Sequence, residues 1–336
     1  MNPLRIGIVG AVGRLAQARA HCFAEIPGSK VVFCSSPGGR DASLLASRLG
    51  CRATAHWQEV VSDPDVDAVC VSSAGASHFN QARAAIAHRK HVLVDYPLTH
   101  SMEETNQLLG LARKRKVLLH HGLYVRGEPV YLAALDNIPS LGQISAARIT
   151  YFGGARSQVR KTVANDVFFA MFVRFIDHMR GWFGEVKAAT AKRKDAGDGG
   201  HLMHNATAWF RLERCPMAMI ELGVGYYHYH RYFVEIFGSD GVFEKSRGMT
   251  LARNGRTTPL SHRPDVAVKV DTQNFVSQIQ DDVSPLRAWN DMQQTMQVAF
   301  KCVRPDPKSP GIEYEFEESE SQIVAMSDYA AAAPAT

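Results

Sequence analysis

Strand-like and helix-like patterns alternate through the first 120 residues, and this alternation constrains the fold more than any other feature of the sequence. The apolar runs "RIGIVG", "KVVFCSS", "VDAVCVSS" and "HVLVDYP" are each followed by a segment with the helical spacing of apolar residues. Short links between such segments favour a doubly wound parallel sheet. The sequence therefore predicts an α/β domain over residues 1–122.

After about residue 125 the pattern changes to longer alternating segments such as "ISAARITYF" and "ATAWFRLE". One long helical pattern, from about 165 to 183, interrupts them, and further helical patterns follow late in the chain. This mixture predicts a second, α+β domain over residues 123–328, built on a mostly antiparallel sheet. Residues 329–336, which include "AAAAPAT", are expected to form a flexible tail.

The first strand runs into the turn "GIVGAVGRLA", which is typical of a nucleotide site. Glycines after a strand let phosphate oxygens reach the amides at the next helix N-terminus. The usual pattern is G-x-G-x-x-G. Here Gly10 fits, Val12 and Leu15 occupy the second and third glycine positions, and Gly13 is displaced by one. We predict a Rossmann dinucleotide-binding domain, with the cofactor contacted by Gly10, Val12, Gly13, Arg14 and Leu15.

The end of the second strand, "CSSPGGR", bears on the choice of dinucleotide. NAD sites place an Asp or Glu there to bind the ribose hydroxyls. This chain has Ser35 and Ser36 instead, followed by Arg40 after a glycine-rich turn. Hydroxyls and a guanidinium suit a 2′-phosphate, which a carboxylate would repel. The sequence therefore predicts NADP(H), with NAD(H) as the alternative.

Charge and cysteine content exclude several classes of protein. The net charge of +5 is modest and no basic run accompanies it, so we expect no nucleic-acid partner and instead a small, anionic substrate. The six cysteines form no zinc spacing, and no stretch resembles a membrane span or a secretory signal. We expect a cytoplasmic protein with no membrane partner. Two histidine pairs, His201 with His204 and His228 with His230, lack a matching acid or cysteine beside them, so we expect no metal site.

Together, "RIGIVG", "DPDVDAVCVSSAGASHFNQARAAIAHRKHVLVDYP" and "RFIDHMRGWFGEV" resemble the Gfo/Idh/MocA oxidoreductases in order and spacing, from residue 4 to about 303. The resemblance implies a Rossmann domain followed by an open-faced sheet that carries the substrate pocket. It also implies a homo-oligomer through that sheet, and a nicotinamide between the two domains. Further cofactor contacts are then expected from the ends of the third and fourth strands, namely Ser73, Ala74, His78, Asp95, Tyr96 and Pro97.

The chain departs from the family pattern where that pattern carries its proton chemistry. Asp95-Tyr96-Pro97 stands in place of the family's Glu-Lys-Pro. Ala170, Arg174 and Asp177 stand where the family has an Asp, a His and an Asp. Oxidising an alcohol requires a group that takes the hydroxyl proton as hydride leaves. Arginine is permanently charged and tyrosine has an ordinary pKa near 10, so polyol dehydrogenation is disfavoured.

The acid-Tyr-Pro turn in "KHVLVDYPLTHS" resembles the biliverdin reductase branch of the same superfamily. This resemblance implies an NADPH-dependent reductase that delivers hydride to a conjugated carbon of a planar, acidic molecule. We expect the catalytic residues to be Tyr96, Arg174 and Asp177. Because arginine pairs bidentately with carboxylates, the expected substrate contacts are Arg126, Arg156 and Arg160, together with His121.

Two other functions stay open on the sequence. One is a sugar or imine oxidoreductase of the same family with a reorganised set of acids and bases. The other is a non-catalytic NADP(H)-binding sensor, which the degenerate glycine pattern leaves open. Turnover of NADPH with a bilin or a sugar, or binding without turnover, distinguishes the three functions.

Overall fold

The structure is a computed structural model that describes residues 2–153, 161–196, 203–226, 229–261, 264–281, 289–303 and 312–315. These residues form a six-stranded sheet and a nine-stranded sheet. The first sheet contains β1 (Leu4–Val9), β2 (Ser29–Ser35), β3 (Arg52–Thr54), β4 (Ala68–Val71), β5 (His91–Asp95) and β6 (Leu119–Gly122). The helices between these strands are α1 (Gly13–Glu25), α2 (Arg40–Leu49), α3 (Trp57–Ser62), α4 (Gly75–Ala87) and α5 (Met102–Arg115).

The strand order of the first sheet is β3-β2-β1-β4-β5-β6, and every pair is parallel. The order reverses between β1 and β4, so a ligand crevice opens beyond the carboxyl ends of these two strands. The start of α5 also agrees with the prediction from the sequence. Ser101 caps α5 by accepting a hydrogen bond from the amide of Glu104 at 3.1 Å, as its capping-box pattern indicates. The predicted Rossmann fold is confirmed.

The second sheet has the order β14-β13-β12-β11-β7-β10-β9-β8-β15, and β7 and β10 form its parallel pair while the others are antiparallel. This confirms the mostly antiparallel sheet. Its strands are β7 (Ile144–Gly153), β8 (Val186–Ala196), β9 (Met203–Leu212), β10 (Cys215–Val224), β11 (Arg231–Gly238), β12 (Gly241–Lys245), β13 (Met249–Arg253), β14 (Arg256–Pro259) and β15 (Ile312–Glu315). The later helices are α6 (Pro129–Asn137), α7 (Lys161–Phe183), α8 (Ala267–Gln280) and α9 (Trp289–Val303), and 3-10 turns span Tyr124–Gly127 and Ile138–Ser140.

The two faces of the nine-stranded sheet differ in burial among the residues that the structure describes. Helix α7 packs its phenylalanines, including Phe172 and Phe175, against the alternate buried residues of β9 and β10. On the opposite face Trp209 is 47% exposed and Met217 is 52% exposed. This asymmetry fits the open-faced sheet that the family resemblance implies.

Helix α8 returns to the first domain. Phe275 and Val276 of α8 lie in the core formed by β1 and α1, and the ring of Phe275 meets that of Phe23 at 6.1 Å. The predicted division at residue 122 therefore leaves α8 with the second domain in sequence although it packs on the first. The domain boundaries stay a prediction, and the tail 329–336 lies outside the described residues.

The alternation in "GYYHYHRYF", residues 225–233, predicts a single strand, but the described residues of this run belong to a strand only from Arg231 onward. Strand β10 ends at Val224, Gly225 turns the chain with a φ of 104°, and β11 begins only at Arg231. A positive φ is a conformation that glycine adopts at little cost. Alternation of aromatic residues therefore overestimated the length of the strand.

None of the described helices combines the length and the apolar character that crossing a membrane requires. The cytoplasmic location stays a prediction.

Candidate active site

The turn after β1 is shaped by Gly10 and Gly13, each with a φ of 85°. The amides of Gly10 and Ala11 donate to the carbonyl oxygen of Ser35 at 3.0 and 2.8 Å, which fixes the turn to the end of β2. A Cβ at Gly10 would lie 2.5 Å from the Cα of Ser73. Only glycine fits this position, because two backbone segments meet there.

Helix α1 begins at Gly13 without a side-chain cap, since Val12 occupies the N-cap position. Its first amides are therefore left for another acceptor, and anions suit that end of a helix. A Cβ at Gly13 would meet no atom within 4 Å, so open space adjoins the start of the helix. Gly13 takes the place of the second glycine of the usual pattern, in a turn that is one residue longer. Arg14 and Leu15 follow in the first helical turn.

The end of β2 carries no carboxylate. Ser35 and Ser36 are buried, and the hydroxyl of Ser36 accepts a hydrogen bond from the amide of Ala42 at 2.9 Å. Ser36 thereby caps α2, a role that sequence analysis did not foresee. Arg40 is the first residue of α2 and is exposed. Its exposed side chain can rotate toward a phosphate on the ribose.

His78 contacts both of the loops that follow β4 and β5. Its Nδ1 lies 2.8 Å from the carbonyl oxygen of Pro97, and its Nε2 lies 3.0 Å from that of Ser73. The ring is buried at the start of α4, for which Ala74 is the N-cap. His78 holds the crevice walls in position through these contacts. A direct contact between its ring and the cofactor stays a prediction.

Asp95 is held by a buried cation that sequence analysis missed. Arg19 of α1 is 0% exposed and pairs with Asp95 at 3.0 Å and with Asp271 of α8 at 2.6 Å. Ser72 donates a short hydrogen bond to the other oxygen of Asp95. The signal was present in the sequence, because helical spacing places Arg19 on the apolar face of α1, between Ala16 and Phe23.

Tyr96 lies directly beyond Asp95, where β5 ends and a cis peptide bond joins it to Pro97. Its ring meets that of Tyr124 edge to face, with 5.5 Å between ring centroids. Burial raises the pKa of Tyr96 well above its ordinary value, and Tyr124 raises it further while the charge of Arg174 opposes this. The hydroxyl of Tyr96 is therefore protonated at neutral pH.

Arg174 of α7 approaches from the second domain. Its Nη2 and Nε lie 2.5 and 3.0 Å from Oε2 of Glu128, a residue at the start of α6. Burial raises the pKa of Glu128, but His178 and Arg174 outweigh burial and lower it below the ordinary value. Glu128 is thus an ionised carboxylate and a weak base. Neither Tyr124 nor Glu128 was predicted, because both lie in short segments without a repeating pattern.

Comparison with known proteins gives a family match for the first domain. Residues 4–123 match a family model described as "Oxidoreductase family, NAD-binding Rossmann fold". The match supports the resemblance to the Gfo/Idh/MocA oxidoreductases over that domain. The chain is an NAD(P)-dependent oxidoreductase, since its relatives are named as reductases and dehydrogenases and its first domain is an NAD(P)-binding fold.

Curated relatives of the chain include two sugar reductases. A dTDP-3,4-didehydro-2,6-dideoxy-alpha-D-glucose 3-reductase of Saccharopolyspora spinosa is 26% identical over 74% of this chain and 76% of the relative. A 1,5-anhydro-D-fructose reductase of Ensifer adhaerens is 28% identical over 56% of this chain, and the match spans half of that relative.

Solved structures of the same fold include a biliverdin reductase from Synechocystis sp. PCC 6803, which was crystallised with biliverdin and NADP+. It superposes with a TM-score of 0.80, is 23% identical, and the match covers 90% of this chain and 98% of that one. A UDP-N-acetylglucosamine 3-dehydrogenase from Acidithiobacillus ferrooxidans superposes with a TM-score of 0.71 at 21% identity, covering 90% and 97%. At these identities the likeness shows the fold.

Two other side chains expected to act in the site, Asp177 and Arg126, pair with residues of the second domain. Asp177 is fully buried, where it pairs with Arg126 at 3.3 Å and accepts a hydrogen bond from Thr295 at 2.9 Å. Arg126 also pairs with Asp291 at 2.9 Å, so two carboxylates already neutralise its charge. These contacts link α7 to α9, and they do not support the catalytic role of Asp177 or the substrate contact of Arg126.

His121 is buried in β6, beside Val94 of β5. Its predicted contact with substrate stays a prediction. Arg156 and Arg160 lie outside the described residues. Among the described residues no three His, Cys, Asp or Glu side chains converge as metal ligands.

Proposed function

We propose that the protein is an NADPH-dependent reductase that transfers hydride to a conjugated carbon of a planar, acidic small molecule, with biliverdin as the candidate substrate and bilirubin as the product. One observation carries the proposal. The groups that meet at the end of β5 are Tyr96, Arg174 and Glu128, and none of them takes up a proton near neutral pH. Burial and Tyr124 raise the pKa of Tyr96, and its neighbours lower that of Glu128.

The residues that would hold NADP(H) fit that group. The uncapped start of α1 beside Gly13 suits the pyrophosphate, and the absence of a carboxylate at the end of β2 suits a 2′-phosphate. Asp95, Tyr96 and Pro97 would border the nicotinamide. When bound, the reduced nicotinamide supplies a hydride.

Each residue of the site then has a task that needs no proton acceptor. Tyr96 positions the substrate over the crevice with its aromatic ring and its protonated hydroxyl. Arg174 places a permanent positive charge beside the position at which hydride arrives, and so stabilises negative charge that develops on the substrate. Glu128 holds the guanidinium in place through two hydrogen bonds to one oxygen.

Tyr96→Phe tests the proposal. The wild-type protein with NADPH should remove the absorbance band of biliverdin and produce that of bilirubin. Removal of the Tyr96 hydroxyl should reduce kcat about 10- to 100-fold, because the substrate loses a group that positions it. Stopped-flow absorbance at saturating NADPH measures it.

The matched control is Tyr124→Phe, which removes a neighbouring hydroxyl and keeps the edge-to-face ring contact. It should change kcat less than Tyr96→Phe does. Unchanged kinetics in Tyr96→Phe would confine Tyr96 to packing. Absence of biliverdin turnover by the wild-type protein would reject biliverdin as the substrate.

The choice of dinucleotide is tested at Arg40. Arg40→Ala should raise the Kd for NADPH about 10-fold, the effect of losing one charge-assisted contact to a phosphate, and leave that for NADH unchanged. Nicotinamide fluorescence measures both constants. Arg48→Ala, at the other end of α2, is the control and should change neither constant. Equal weakening of NADPH and NADH in Arg40→Ala would contradict a role in binding the 2′-phosphate.

A second candidate is the reduction of a ketosugar, because the curated relatives at 26% and 28% identity are named as sugar reductases. That reaction ends with a proton on an alkoxide, and the hydroxyl of Tyr96 is the donor closest in chain position to the family's lysine. NADPH oxidation with a ketosugar in place of biliverdin distinguishes the two candidates.

We also infer a homo-oligomer through the open face of the nine-stranded sheet. The exposed side chains of Trp209 and Met217 support this, since apolar patches of this kind mark interfaces. We also propose that the two domains divide at residue 122.

A further inference from the structure

A second positive charge lies next to Arg174, on the sheet of the second domain. The ring of Tyr232, in β11, has the guanidinium carbon of Arg174 at 5.4 Å from its centroid and the ammonium of Lys245 at 4.0 Å. Lys245 ends β12, which pairs with β11 through Val234 and Lys245. One aromatic ring therefore has two cations at cation–π distance.

The charges of these two cations are balanced differently. Arg174 has Glu128 as its counter-ion at 2.5 Å. Lys245 donates to the backbone carbonyl of Tyr232 at 2.8 Å, and within the described ranges no acid pairs with it. Burial and the charge of Arg174 both lower the pKa of Lys245. A half-buried ammonium beside another cation is unfavourable unless an anion joins it.

The hydroxyl of Tyr232 is a donor that has no acceptor within the described part of the chain. Its oxygen is buried, and no hydrogen-bond partner for it lies among the described residues. Burial raises the pKa of Tyr232, so the hydroxyl is protonated. A buried hydroxyl is normally hydrogen-bonded, which indicates that a ligand group belongs beside it.

We propose that the ammonium of Lys245 and the hydroxyl of Tyr232 form a carboxylate-binding subsite of the substrate pocket. Arg174 connects this subsite to the position of hydride transfer, since it neighbours both Tyr232 and Tyr96. The inference rests on the proposed function for the planar and acidic character of the substrate, and adds the side chains that hold one acid group.

The chemistry of the subsite favours a carboxylate over a phosphate. One uncompensated positive charge matches the single charge of a carboxylate, whereas a phosphate brings more charge and needs more donors. Aromatic rings adjoin the subsite, because Tyr151 lies 6.2 Å and Phe175 lies 5.7 Å from Tyr232 between centroids. A flat molecule with an acidic side arm fits these surroundings.

The test compares pyrenebutyrate with pyrenebutanol, two flat probes that differ in the carboxylate, in the presence of NADP+. The wild-type protein should bind the acid about 10-fold more tightly than the alcohol, and Lys245→Met should remove this preference without changing the Kd for the alcohol. Lys245→Arg should retain the preference. Lys30→Met removes an exposed lysine at the amino end of β2 and serves as the control, with wild-type values expected.

Turnover gives a second readout that is independent of the first. Lys245→Met should raise KM for biliverdin about 10-fold and change kcat less than 3-fold, because the carboxylate is held equally before and during hydride transfer. If the wild-type protein does not reduce biliverdin but the pyrene preference depends on Lys245, the proposed function fails and the subsite stands. If Lys245→Met keeps the preference for pyrenebutyrate while folding normally, the subsite is rejected whether or not biliverdin is a substrate.

Discussion

Replacing Arg19 by methionine is expected to destabilise the protein by about 3–5 kcal/mol, since it removes the buried arginine that pairs with two buried carboxylates. Asp95 and Asp271 are 3% and 6% exposed, and Arg19 pairs with both at 3.0 Å or less. Arg19 also donates to Thr272 at 2.8 Å. Urea denaturation at neutral pH, followed by circular dichroism, measures the free energy of unfolding.

The control for this prediction is Arg5→Met. Arg5 also pairs with two aspartates, Asp65 and Asp67, but its side chain is 39% exposed. Exposed ion pairs contribute about 0–1 kcal/mol, so Arg5→Met should cost far less than Arg19→Met. Equal losses in the two variants would contradict the claim that burial makes the Arg19 network costly to break.

The pH dependence of the Arg19 variant follows from Asp271. Burial raises the pKa of Asp271, but the charges of Arg19 and His120 outweigh burial and lower it from 3.8 to about 2. In the wild-type protein the ion pair therefore contributes stability that is present above pH 4 and is lost as the pH falls toward 2. In Arg19→Met the charge of Arg19 no longer opposes the effect of burial on the pKa of Asp271. Protonation of Asp271 therefore stabilises the folded variant, because it removes a buried negative charge. The stability difference between the two proteins should narrow as the pH is lowered from 7 to 4.

Replacing Gly10 by alanine is expected to abolish cofactor binding, with a rise in the Kd for NADPH of roughly 100-fold or more, the equivalent of about 2.7 kcal/mol. The new Cβ would lie 2.5 Å from the Cα and 2.6 Å from the backbone nitrogen of Ser73. Backbone atoms cannot rotate away, so the loops after β1 and β4 must separate at the point where the dinucleotide enters. Nicotinamide fluorescence on titration with NADPH measures the effect.

Gly50→Ala is the matched control for Gly10→Ala. Gly50 has a φ of 67° at the end of α2, and a Cβ there would meet no atom within 4 Å. The backbone strain is comparable, about 1–2 kcal/mol, but no clash accompanies it. Gly50→Ala should lower stability modestly and leave the Kd for NADPH unchanged. A similar loss of NADPH binding in Gly50→Ala would show that strain, and not the clash at Ser73, explains the Gly10 result.

The expected cofactor contacts could be named from the sequence because their signals are local, and the contacts themselves stay predictions. Strands of the first sheet are short apolar runs, and the turns that follow them carry the residues that face the crevice. Gly10, Gly13 and Arg40 are therefore identifiable from their position after a strand. The turn is one residue longer than in the usual glycine pattern. Its positive φ angles lie at Gly10 and Gly13, and Val12 is the N-cap of α1.

The proposed substrate contacts come from distant segments of the chain. Tyr96 and Arg174 were predicted from their positions in blocks that resemble the family, and their roles stay predictions. Glu128 and Lys245 were not predicted, since one precedes a short helix and the other ends a short strand. Arg126 was assigned to the substrate from its residue type and Asp177 to catalysis from its place in the family pattern, and the structure pairs the two with each other.

Local sequence patterns were sufficient to predict the alternation of strands and helices, the dinucleotide turn, and the replacement of the family's lysine and histidine by Tyr96 and Arg174. These features depend on side-chain periodicity and on the conformations that glycine and proline allow, which act over a few residues. The tertiary structure alone decided which charges meet. Arg19 pairs with Asp271, which lies 252 residues further along the chain, and Lys245 lies near Arg174 because β12 pairs with β11, whose Tyr232 contacts both side chains. Charge pairing depends on distance in space and on burial, and neither is written in the local pattern of the chain.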